Sequence, residues 1–121
     1  ATVFNSDING WDVSKVVDMT NAFQGATGFN RDLSSWNVSA VESFRAMLSD
    51  ASLFNQDLSS WDLSSATDLS SMFLRASEFT QDMCSWTQFL ESASSTNMFS
   101  QTSCPVQEVD TNDEASLCFR C

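Results

Sequence analysis

The sequence predicts an α/β repeat solenoid of about four 25-residue coils, built of short strands and short helices, with a disulfide-stapled C-terminal cap. Three observations predict it. An eleven-residue phrase returns at a fixed 25-residue interval. Apolar residues spaced by three and four follow each copy. Three of the four cysteines lie beyond the last repeat.

The phrase comes first in each unit. Phe4-Asn5-Ser6-Asp7-Ile8-Asn9-Gly10-Trp11-Asp12-Val13-Ser14 returns as Phe29-Asn30-Arg31-Asp32-Leu33-Ser34-Ser35-Trp36-Asn37-Val38-Ser39. It returns again as Phe54-Asn55-Gln56-Asp57-Leu58-Ser59-Ser60-Trp61-Asp62-Leu63-Ser64, and more loosely as Phe79-Thr80-Gln81-Asp82-Met83-Cys84-Ser85-Trp86-Thr87. No insertion breaks this register, so units start near residues 4, 29, 54 and 79. Within the phrase, Leu33, Trp36 and Val38 are apolar and separated by Ser and Asn. That pattern predicts a short strand or extended segment over residues 33–38. The second half of each unit predicts a short helix. Val16, Met19, Ala22, Phe23 and Ala26 match Val41, Phe44, Met47, Leu48 and Ala51, then Ala66, Leu69, Met72, Phe73 and Ala76. Spacings of three and four place such residues on one helix face, here over residues 18 to about 25. Asp18 favours its start and Gly25 its stop.

One unit cannot bury its own Phe, Trp and aliphatic residues, so the coils must stack. At about 5 Å per coil the stack is roughly 20 Å tall. The expected core ladders are Phe4/Phe29/Phe54/Phe79, Trp11/Trp36/Trp61/Trp86 and the column Ile8/Leu33/Leu58/Met83. Asn5, Asn30 and Asn55 form an expected Asn ladder that ties adjacent loops.

The unit F-N-x-D-[LI]-S-S-W-[DN]-V-S, followed by V-x-x-M-x-x-[AM]-F-x-x-A, resembles the BspA-type leucine-rich-repeat surface proteins. Similar repeats occur in Mycoplasma lipoproteins and in secreted proteins of microalgae. The resemblance covers residues 4 to about 99. Unit four departs from it. Thr80 replaces Asn, Glu91 and Ser94 fall in apolar columns, and Asn97-Met98-Phe99 restores the Met-Phe pair one residue late. That fits a terminal, capping repeat. The resemblance implies a cell-surface or secreted protein used in adhesion, protein contact or matrix building, with no catalytic residue to carry over.

The chain therefore divides into a repeat region, 1–99, and a Cys-containing cap and tail, 100–121. Cys84, Cys104, Cys118 and Cys121 allow three pairings. Cys84–Cys104 with Cys118–Cys121 is favoured, and a bond from Cys84 or Cys104 to the tail is the alternative. With only one close pair among them, structural bridges are expected ahead of a zinc site. Disulfides imply an oxidising compartment, hence an extracellular or cell-surface location. The chain opens part-way through a unit, as a mature end or as a piece of a longer precursor. Its first coil then exposes an uncovered apolar edge: Phe4, Ile8, Trp11, Val13 and Val16. The expectation is a homo-oligomer or filament, in which this edge packs on the far end of another copy. An upstream segment over the edge is the plain alternative.

Composition narrows the function. The chain has 121 residues, 5 basic against 16 acidic, a net charge of −11 and no His. Phosphate binding needs a basic surface, so nucleic acid is not an expected partner. No apolar run approaches the roughly 18 residues of a membrane helix. Lack of His removes the usual general base and the Ser/Cys–His pairs. The carboxylates recur in every unit, whereas an active site is usually singular, so no enzyme is expected. Asp7, Asp32, Asp57 and Asp82 fall in one column, as do Asp12, Asn37 and Asp62. Calcium between coils is one reading of these columns. The competing reading is that each Asp accepts an N–H in its own turn. Asn37-Val38-Ser39 is an N-glycan acceptor triplet. The expected function is thus a non-enzymatic extracellular structural or interaction protein. The alternatives are a monomeric adhesion module for a protein or glycan, and a calcium-dependent surface protein.

Overall fold

The structure is a computed structural model that describes residues 4–107 and 116–120. Successive units lie one over another in parallel. Their contact is marked by bridges Asp18↔Ser43, Ser43↔Asp68 and Asp68↔Ser94. Beside the bridges, every second N–H of one unit donates to a carbonyl of the next. Met19, Asn21, Phe23 and Gly25 donate to Ser43, Arg45, Met47 and Ser49 at 2.8–2.9 Å. Phe44, Ala46, Leu48 and Asp50 repeat this onto Asp68, Ser70, Met72 and Leu74 at 2.8–3.0 Å. Leu69, Ser71, Phe73 and Arg75 repeat it onto Ser94, Thr96, Met98 and Ser100 at 2.7–2.9 Å.

These bonds replace the helix predicted over residues 18–25. Residues 20–25 form consecutive turns. The intervening N–H groups reach back three residues, as in Ala22 to Met19 at 3.1 Å and Gln24 to Asn21 at 3.2 Å. Positive φ recurs in pairs four apart: Asn21 and Gly25, Ala46 and Asp50, Ser71 and Arg75, Asn97 and Gln101. In the first three units each left-handed residue breaks a helical run and turns its N–H towards the neighbouring unit. The inward spacing of three and four survives because each turn is itself about three residues long.

The strand predicted over residues 33–38 is likewise two turns, closed by Trp36 N–H to Leu33 at 3.1 Å and Val41 N–H to Val38 at 3.0 Å. A turn between Leu33 and Trp36 lets both point inward at a spacing of three. Among the described residues the named elements are a 3-10 helix at Cys84–Ser92 and strands β1, Ser116–Leu117, and β2, Phe119–Arg120. The two strands pair antiparallel. The 3-10 helix absorbs one extra residue in unit four: Asp68 pairs with Ser94, 26 positions on, and Leu90 turns inward.

The core runs along the middle of the stack. Phe4, Phe29, Phe54 and Phe79 stack at centroid distances of 5.5, 5.8 and 6.2 Å. Phe99 adds a further rung, 6.2 Å from Phe79 and 5.5 Å from Phe73. Leu33, Leu58 and Met83 are fully buried beside them.

The tail closes the last unit. Cys104 is bonded to Cys118, not to Cys84 as favoured from the sequence. The Val106 N–H donates to the Cys118 carbonyl at 2.9 Å, which sets the two backbones side by side and brings the sulfurs together. The favoured Cys118–Cys121 loop is therefore not formed. Cys84 is also disulfide-bonded, and Cys121 lies outside the described residues. Leu117 is fully buried, and its carbonyl accepts the Met83 N–H at 3.1 Å. The Ser103 hydroxyl donates to the Ser77 carbonyl at 2.6 Å, as Ser77 does to Ser52 and Ser52 to Thr27. The tail thus begins as a fifth layer before it turns back.

Candidate functional site

The repeated Asn and Trp side chains tie one unit to the next. Asn5 Oδ1 accepts the Asn30 N–H, Asn30 Oδ1 the Asn55 N–H and Asn55 Oδ1 the Thr80 N–H, each at 2.9 Å. Thr80 ends this series, because there only the backbone donor is needed. The indole N–H groups of Trp36, Trp61 and Trp86 reach down one unit to the carbonyls of Ile8, Leu33 and Leu58 at 2.9, 2.9 and 3.2 Å. Trp11, in the first described unit, is 61% exposed and stands outside the expected buried ladder.

The Asp columns are occupied by their own turns. Asp7, Asp32, Asp57 and Asp82 accept the N–H two residues on, at 3.2, 2.8, 2.9 and 2.9 Å. Asp12, Asn37 and Asp62 do the same at 3.0, 3.1 and 2.9 Å. Among the described residues no three acidic or Cys side chains gather as a metal site. Ser14, through its hydroxyl and then its N–H, holds the Asp12 carboxyl below the ordinary Asp value. Thr20 does the same for Asp18, and Ser34, chiefly through its N–H, for Asp32. Hydrogen bonds to the charged form cause all three shifts. Asn37 is exposed, and its Oδ1 takes the Ser39 hydroxyl at 2.7 Å.

Among the described residues no group donates to the carbonyls of Asp18, Thr20, Ala22 and Gln24 in the first unit, whereas their counterparts Ser43, Arg45, Met47 and Ser49 each accept one N–H. Beside them Phe4, Ala22, Phe23, Gln24 and Ala26 line an open groove of about 240 Å³. The expected apolar edge needs correction: Ile8 and Val13 are buried at 1% and 8% exposure, tucked under the neighbouring unit. Phe4 and Val16 are partly buried, and Trp11 is open. Val17, which the sequence reading passed over, is 48% exposed. Its counterparts Glu42 and Thr67 are polar, and that contrast was the available signal.

The family model described as Mycoplasma protein of unknown function, DUF285, matches residues 1–112. The chain belongs to that family. No curated protein and no solved structure matches.

In this DUF285 chain the column Asp residues and the Asn series Asn5, Asn30 and Asn55 make the same hydrogen bond from unit to unit. No helix among the described residues is long and apolar enough to cross a membrane. The open edge can take up hydrogen-bond donors and apolar side chains together. Carbonyls buried there would need hydrogen-bond donors.

Proposed function

We propose that the chain is a non-enzymatic extracellular module for structure and contact. On this reading it is a repeat solenoid of the BspA-type leucine-rich-repeat kind, akin to secreted microalgal members, that self-associates head to tail into a filament or surface assembly. The observation that carries the reading is the parallel stack, in which each unit hands alternate N–H groups to carbonyls of the next, always in the same direction. One-directional contacts of this kind are heterologous and extend without closing. Export is supported by the disulfides, which persist in oxidising surroundings. Light scattering on a dilution series, with negative-stain images of the same samples, tests the reading. Rods or oligomers that lengthen with concentration are expected. Uniform single particles at high concentration would overturn self-association.

One observation favours a second reading, a monomeric module that holds a glycan or protein. Asn5, Asn30, Arg31, Leu53, Asn55 and Glu78 line a shallow groove along one side of the stack, with Leu53 51% exposed. Single particles that retain a soluble glycan or cell surface would support it.

A further inference from the structure

We infer that Asn37 carries an N-linked glycan, attached at its side-chain nitrogen and projecting from the flank of the second unit. The inference rests on the extracellular reading proposed above and adds to it a modification site and the face which that modification occupies.

No asparagine of the chain other than Asn37 is followed two residues on by Ser or Thr. The fold makes this one triplet usable. Buried Trp36 and Val38 flank Asn37 and leave its side chain exposed. The turn there uses only one end of the amide. Asn37 Oδ1 accepts the Ser39 N–H at 3.1 Å and the Ser39 hydroxyl at 2.7 Å. Its Nδ2 donates to nothing among the described residues.

The counterparts of Asn37 show that the turn does not need that nitrogen. Asp12 accepts the Ser14 N–H and hydroxyl at 3.0 and 2.6 Å, and Asp62 accepts the Ser64 N–H at 2.9 Å. A carboxylate oxygen therefore serves this turn as an amide oxygen does. What Asn37 adds over Asp12 and Asp62 is a solvent-facing amide nitrogen, the atom to which an N-glycan is joined. A neutral residue at 37 also separates the charges of Asp12 and Asp62, but that role leaves the amide unmodified.

Attachment keeps the bonds of the fold in place. Nδ2 bonds to the anomeric carbon of an oligosaccharyl diphosphate, brought by a transferase of the secretory pathway. The anomeric C–O bond breaks, its electron pair leaves with the diphosphate, and one amide proton passes to a base of the transferase. The product is still an amide, and its Oδ1 still accepts both Ser39 bonds. A glycan is bulky and solubilising. It holds the flank of Asp12, Asn37 and Asp62 in solvent, so contacts with other copies or partners fall on other faces.

The test expresses the chain behind a secretion signal in a eukaryotic host that N-glycosylates exported proteins. Intact mass is measured on secreted material before and after peptide N-glycosidase. The secreted chain should exceed its sequence mass by one N-glycan. The enzyme should remove that excess and leave, at residue 37 in the peptide map, the mass change of an amide converted to an acid. Asn37→Asp, which matches Asp12 and Asp62 in the same turn, should be secreted at its sequence mass. A wild-type chain secreted at its bare sequence mass overturns the inference and leaves the extracellular reading standing. An excess that persists in Asn37→Asp places the modification elsewhere and also overturns it. If the chain is retained in the cell without a glycan, the inference falls together with the export beneath it.

Discussion

At the scale of the residue, the direction in which a side chain leans decides its worth. Trp36, Trp61 and Trp86 each reach towards the unit before, so Trp61 sits 3% exposed on Leu33, whereas Trp11 of the first described unit is 61% exposed. Trp61→Ala should therefore cost about 3–5 kcal/mol, the usual loss for a buried aromatic. Trp11→Ala should cost less than about 0.5 kcal/mol, as surface changes do. Urea unfolding of the two variants measures the contrast, and equal losses would contradict this packing. Asn30 carries a smaller but distinct term. Its Oδ1 accepts the Asn55 N–H and the Gln56 amide, at 2.9 and 3.0 Å. Asn30→Ala should cost about 1–3 kcal/mol by leaving donors unmet, whereas Asn30→Asp keeps the acceptor and should lose less in the same titration. The columns themselves were legible, because a 25-residue period puts like residues at like places. The lean was not. Nothing in the period says whether Trp36 packs on the unit before or the one after.

At the scale of the element, the misread segments share one cause. Residues 20–25 have the apolar spacing of a helix, and spacing reports only which side chains point inward. It does not report where the N–H groups go. Here alternate N–H groups leave the segment for the neighbouring unit, through left-handed positions that only Asn21 and Gly25 advertise. Ala46, Ser71 and Arg75 hold the same conformation without any sequence mark. Stacking imposes it, since each unit must present donors where the next presents carbonyls. Ala46 at φ 53 is accordingly strained. A non-glycine residue there costs roughly 1–2 kcal/mol, offset by the roughly 0.5–1 kcal/mol that glycine loses in entropy. Ala46→Gly should thus raise stability by about 0.5–1 kcal/mol, and a bulky β-branched residue should lower it. Thermal melts of Ala46→Gly and Ala46→Val decide the matter: a drop for glycine would mean the methyl's packing outweighs the strain.

At the scale of the molecule, two opposing electrostatic effects meet, and acid distinguishes them. Sixteen acidic residues against five basic ones repel one another at neutral pH. Protonation relieves that repulsion and would stabilise the fold as pH falls. Against it stand the turn bonds of Asp12, Asp18 and Asp32, and the Arg75 guanidinium on Asp50 at 2.7 Å, all of which hold those carboxyls below their ordinary value. A carboxyl whose pKa is lower in the folded than in the unfolded chain stabilises above its unfolded value and loses that contribution as pH falls through the folded one. The window therefore opens below about pH 4, the ordinary range for Asp. The repelling carboxylates lie in solvent, where salt screens them beyond about 8 Å at physiological strength. The turn bonds act at contact distance and are hardly screened. The local bonds should win. The melting temperature should hold nearly constant from pH 8 to 5 in physiological salt and fall steeply below pH 4. In low salt it should show a shallow rise between about pH 5 and 4 before the same fall, as carboxylates of ordinary pKa protonate and repulsion eases before the turns are lost. A midpoint that climbs steadily down to pH 3 in both buffers would mean that the charge of the whole outweighs the bonds within each turn.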